Sequence, residues 1–102
     1  MSENIFEDPI DDIFKNSVKY VCTQDNLVLN NIDLLFVYGL FKQATEGDNN
    51  SSCPTNIIEK QNWSSWFSQR GKNKTLAKIE YIKFIEDKLV YQAMLTNNLT
   101  IW

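Results

Sequence analysis

Tyr38, Phe41 and Lys42 stand within five residues of one another, with Leu34 and Leu35 one helical turn upstream. At ~100° per residue these five side chains share one side of a helix. Aromatic rings beside a cation can stack a flat heterocycle and neutralise a phosphate at the same place. The other side, formed by Phe36, Val37, Leu40, Gln43 and Ala44, is largely apolar too. Such a helix must be covered on two faces or line a groove on one. The pattern also fits a buried helix whose lysine reaches back to solvent along its methylene stem. The spacing alone leaves both readings open.

Other chemistry is poorly provided for. The 102 residues contain no histidine, which removes the usual general base near neutral pH and every Ser–His or Cys–His nucleophile. Cys22 and Cys53 are too few for a disulfide scaffold or a thiolate zinc site. The acidic pairs Asp11–Asp12 and Glu86–Asp87 are adjacent on helices, so their side chains diverge. They read as a dipole complement in a first turn and as a solvated face. An enzyme is not expected, and neither is a cofactor or a metal.

Ten Lys and Arg against 13 Asp and Glu leave a net charge of −3, the wrong balance for a nucleic-acid binder. The charge is uneven. Residues 1–33 set two lysines against seven carboxylates, whereas residues 34–83 set seven basic side chains against four acids. The middle of an acidic chain is thus mildly basic, and Lys42 lies in it. Lys72, Lys74, Lys78 and Lys83 read as a solvated helix surface.

Four helices must position these groups. Asp8-Pro9 reads as an N-cap with proline at the first helical position. Ile10, Ile13, Phe14, Ser17, Val18 and Val21 then share one arc of a helix ending near Cys22. A polar loop follows, interrupted by Leu27-Val28-Leu29, which should fold back onto the core. The second helix is capped by Asn30 or Asn31 and runs through Thr45, stopped by Glu46-Gly47-Asp48. The third spans Ile57 to Gln69, with Trp63, Trp66 and Phe67 as an anchor set. The fourth is capped by Asn73, and Ala77, Tyr81, Ile82, Phe84, Ile85 and Leu89 form its apolar arc. Helical character persists to Leu95, where Thr96-Asn97-Asn98 should break it, leaving Leu99, Ile101 and Trp102 as an apolar end. Strand signals are nearly absent, so an all-α, four-helix fold is expected.

The stretch Leu35-Phe-Val-Tyr-Gly-Leu-Phe-Lys-Gln-Ala-Thr-Glu-Gly-Asp48 resembles the signature of the acyl-CoA-binding protein family, Leu-x-x-Tyr-x-x-Tyr/Phe-Lys-Gln-Ala-Thr-x-Gly-Asp. The resemblance continues through Pro54, Trp63-Ser-Ser-Trp66, Gly71, Ala77 and Tyr81-Ile82, covering about residues 14–89 of a single domain, with 90–102 as an extension. It implies an up-down-down-up four-helix bundle that carries medium- and long-chain fatty acyl-CoA thioesters without chemistry. It places Tyr38 and Lys42 at the adenine and 3′-phosphate site, Phe41 where the family often has Tyr, and Tyr81 at another ligand-contacting tyrosine. Leu34 and Leu35 match positions beside the acyl chain, and Val18 and Val21 match positions near the groove. Of the tryptophans, Trp66 is expected to serve packing.

The sequence also departs from the family. Asn62 stands where the family usually has a phosphate-contacting Lys, and the segment from Pro54 to Trp63 is about two residues shorter than the common pattern. Lys60 offers a nearby charge, but it lies two residues earlier, roughly 200° around a helix. A helix-1 lysine of many members aligns near Cys22, with Lys19 the nearest cation. A module of the same fold that serves a protein partner is the alternative.

The acidic N-terminus lacks the features of a signal peptide, and no apolar run approaches the ~20 residues of a membrane span. A cytoplasmic monomer with reduced thiols is expected, exchanging acyl-CoA with donor or acceptor enzymes. Five Asn-x-Ser/Thr matches then reflect an Asn-rich composition.

Overall fold

The structure is a computed structural model that describes residues 8–23 and 27–96. It contains four helices, α1 (Pro9–Thr23), α2 (Asn31–Glu46), α3 (Ile57–Phe67) and α4 (Lys74–Thr96), in the up-down-down-up arrangement. α1 packs on α4, and α2 packs on both α4 and α3.

Polar residues set the helix starts. Asp8 accepts from the amides of Ile10, through its carboxylate at 3.0 Å, and of Asp11, through its carbonyl at 2.9 Å. Asn30 and Asp33 form a reciprocal capping box: the Asn30 amide oxygen accepts from Asp33 N–H at 2.8 Å and the Asp33 carboxylate from Asn30 N–H at 3.2 Å. Each such cap is worth ~1 kcal/mol. Asn56 accepts from the amides of Ile58 and Glu59, and Asn73 from that of Leu76. Gly47, at φ 84°, takes the left-handed turn that stops α2.

The buried core is Phe14, Val37, Leu40, Ala44, Ala77, Tyr81, Ile82 and Ile85. Leu27 and Leu29 pack against it, as the sequence suggests, whereas Val28 points outward. The Val28 N–H donates to Gln92 Oε1 at 2.5 Å, so the end of α4 holds the loop that leads into α2.

Three expectations are corrected. Ile13 is 48% exposed, because α1 packs on a single neighbouring helix and only Phe14 of its arc is fully buried. α3 ends at Phe67 instead of Gln69, since Gln69, Arg70 and Lys72 donate to carbonyls three residues back and tighten the chain into turns. Finally, α3 buries no side chain fully. Its tryptophans act through their N–H groups: Trp66 donates to Gly47 O at 2.7 Å, and Trp63 donates to Ser51 O at 3.0 Å. α4 is continuous to Thr96, while the expected break at Asn97-Asn98 and the apolar end lie outside the described residues.

Candidate functional site

The motif residues of α2 divide by task. Gln43 is buried, and its amide donates to Asp48 Oδ1 and to Lys72 O, both at 2.7 Å. The same carboxylate oxygen accepts from Gly71 N–H at 2.8 Å. Gln43 first, then Gly71 N–H and the nearby Arg70 charge hold the Asp48 carboxyl below its usual range. These groups tie the end of α2 to the turn before α4. Their role in the motif is structural.

Leu34, Leu35, Tyr38, Phe41 and Lys42 are all partly exposed, so the second face of α2 is left open. It opens onto two concavities. The larger, about 470 Å³, lies between α1, α2 and the start of α4. Phe14, Val18, Phe41 and Ala44 form its apolar floor, and Lys15, Lys74 and Lys78 stand at its rim with Asp11. Phe41 stacks on Phe14 at 6.3 Å between ring centroids, and Tyr81 meets Phe14 edge-on at 5.1 Å. The smaller, about 240 Å³, lies between α2, α3 and the connecting loop, and is lined by Tyr38, Pro54, Glu59, Asn62, Trp63 and Trp66 among others.

Lys42 lies on the α3 side. Its ammonium sits 4.7 Å from the centroid of the Trp66 ring and pairs with Glu46 one turn on. The lysine side chain keeps 22% exposure, so an anion can still reach it. The structure therefore brings Tyr38, Lys42, Asn62 and Trp66 to one side of α2, and Phe41 and Val18 to the other. Val21 packs against the core. Tyr81 is only 3% exposed, and burial, with a smaller effect from the Cys22 thiol, pushes its phenol up to about 12. It supports Phe14 from behind. Leu34 is 47% exposed and, like Leu35, lines neither concavity; Lys60 is exposed and lines neither as well.

Lys15, Lys74, Lys78 and Asp11 were not marked as site residues by the sequence. They come from two helices and converge only in the fold; the local hints are the i, i+4 spacings of Asp11 with Lys15 and of Lys74 with Lys78. Lys78 pairs with Asp11 at 2.6 Å. Cys22 and Cys53 are free and exposed. Among the described residues no cluster could hold a metal, and no helix is long and apolar enough to cross a membrane. An apolar floor beneath a lysine rim is suited to an anionic amphiphile, held by burial at one end and by charge at the other.

Comparison with known proteins agrees. The family described as Acyl CoA binding protein matches residues 11–85. An acyl-CoA-binding protein homolog of Drosophila melanogaster is 41% identical over 56 residues, 53% of this chain and 65% of that protein. The acyl-CoA-binding protein of Saccharomyces cerevisiae is 38% identical over 53% of this chain and 64% of its own length. The chain thus spans slightly under two-thirds of these relatives. Among solved structures, acyl-CoA-binding protein 2 of Oryza sativa superposes with a TM-score of 0.75 at 29% identity, over 82% of this chain and 94% of that one. The Moniliophthora perniciosa protein gives 0.76 at 28% identity, over 80% and 82%. With the fold, the motif and three-quarters of its residues matched, the chain belongs to the acyl-CoA-binding protein family.

Proposed function

We propose that this protein binds medium- and long-chain fatty acyl-CoA thioesters and serves as a non-enzymatic, cytoplasmic acyl-CoA carrier. The observation that carries this reading is the cleft floored by Phe14, Val18 and Phe41 beneath a rim of lysines. Acyl-CoA joins phosphates to a long alkyl chain. Covering that chain contributes ~0.8 kcal/mol per buried methylene, and charge-assisted bonds fix the head. Lys42 holds a phosphate, while Tyr38 and Phe41 pack against the nucleotide and pantetheine from either side of α2. Val18 and Val21 offer apolar surface to the chain from α1, Leu34 and Leu35 extend it along the open face of α2 outside both concavities, and Tyr81 keeps Phe14 in place. Asn62 faces the head without contributing charge, and Lys60 adds only a distant positive field. A single domain does this as a monomer, receiving acyl-CoA from enzymes that make it and delivering to those that consume it.

Calorimetric titration with palmitoyl-CoA, free CoA and palmitate tests the proposal. Saturable 1:1 binding, strongest for the thioester, is expected. The second reading, a module for a protein partner, draws on Ile57 and Ile58 at the start of α3, which are 72% and 67% exposed. Absence of binding to all three ligands would favour it.

A further inference from the structure

The two sides of α2 differ in available positive charge. On the α3 side, Lys42 is paired with Glu46, and the smaller concavity adds Glu59 and the neutral Asn62. On the α1–α4 side, three lysines meet one carboxylate, and that carboxylate, Asp11, is already paired with Lys78. Lys15 and Lys74 remain. Neither forms an ion pair among the described residues, and both are exposed. The far end of Lys74 lies beside the end of α2, its Cε 3.6 Å from where a Cβ on Gly47 would stand, and the side chain lines the cleft. Lys15 comes from α1 and lines the same cleft, with the Phe41 ring also in its lining.

A ligand with a 3′-phosphate and a diphosphate presents two separate anionic centres. Lys42 is one cation, and it is already paired with Glu46. We infer that Lys15 and Lys74 form a second phosphate subsite across the mouth of the α1–α2–α4 cleft, which takes one phosphate centre of the acyl-CoA head. The inference rests on the acyl-CoA reading above. It makes the head straddle α2, with phosphate bound on both sides, and explains how an acidic chain with Asn62 in the smaller concavity holds a polyanion. Two exposed charges close to the ligand strengthen binding most at low ionic strength, since salt screens them.

The test is calorimetry of Lys15→Gln/Lys74→Gln beside the parent chain and Lys15→Arg/Lys74→Arg, with palmitoyl-CoA at low and moderate salt. The glutamine pair is expected to bind about tenfold more weakly at low salt, with a flatter salt dependence, while the arginine pair stays near the parent. Both lysines are exposed, so circular dichroism and melting should be unchanged. Parental affinity and salt dependence in the glutamine pair would overturn the subsite and leave the acyl-CoA reading intact. No saturable palmitoyl-CoA binding by the parent chain would overturn both.

Discussion

The Lys42 ammonium rests 4.7 Å from the centre of the Trp66 ring, so the cation of α2 is seated on the indole of α3. Trp66 is in turn fixed by its N–H bond to Gly47 O. A lysine stem is otherwise costly to order, and this seat removes part of that cost before any ligand arrives. Lys42→Ala should weaken palmitoyl-CoA binding about tenfold while leaving helicity unchanged, as loss of a charge-assisted contact requires. Calorimetry with circular dichroism checks both.

Glu46 pairs with Lys42 and, in the proposed complex, would compete with the ligand for it. Exposed i, i+4 pairs contribute only ~0.3–0.5 kcal/mol, so Glu46→Gln should tighten acyl-CoA binding about twofold with little effect on melting. Weaker binding in that variant would mean that Glu46 positions the lysine instead of shielding it.

Asn62 shares the smaller concavity with Tyr38 and Trp66. Asn62→Lys places a cation there and should tighten palmitoyl-CoA binding about threefold, with the gain lost at high salt. Side-by-side titrations at two ionic strengths would show it. No change would place the phosphates beyond reach of this position.

At Gly39 the backbone of α3 lies directly against α2. A Cβ there would stand 2.2 Å from Ser65 O and 2.7 Å from Ser65 C, both backbone atoms that cannot swing aside. Gly39→Ala should therefore destabilise the fold by about 2–3 kcal/mol despite alanine's better helix propensity. Urea unfolding measures it directly.

Tyr81 gives a pH dependence with a definite sign. Its phenol titrates near 10.0 in a solvated chain and at about 12 when folded, with burial as the main cause. Below pH 10 both states are neutral there and stability is unaffected by this group. As pH rises from 10 toward 12 the unfolded chain ionises first, so stability falls across that window. Urea midpoints at pH 8 and 11 should differ less in Tyr81→Phe than in the parent.

Much of this arrangement is legible in the residues themselves. Asp8, Asn30 and Asn73 announce helix starts through chemistry confined to a few neighbours, and the arc Ala77–Tyr81–Ile85 is buried as its spacing implies. Features that depend on tertiary placement are less legible. Phe41 and Lys42 are adjacent, yet ~100° of helix sends one toward α1 and the other toward α3, so a single aromatic–cationic face becomes two half-sites. The tryptophans of α3 look like core anchors because indoles are apolar. Their N–H groups instead bond the 47–51 loop, since among the described helices α3 packs on α2 alone. Lys15 and Lys74 lie 59 positions apart in the chain, and nothing local announces that they share a rim.

The most direct measurement is residue-resolved NMR of the 15N-labelled chain titrated with palmitoyl-CoA. The amides of Val18, Phe41 and Thr45 around the larger cleft, and of Lys42, should shift together and saturate at one equivalent. Absence of shifts, or shifts confined to the exposed start of α3 at Ile57 and Ile58, would contradict an acyl-CoA carrier that uses this cleft.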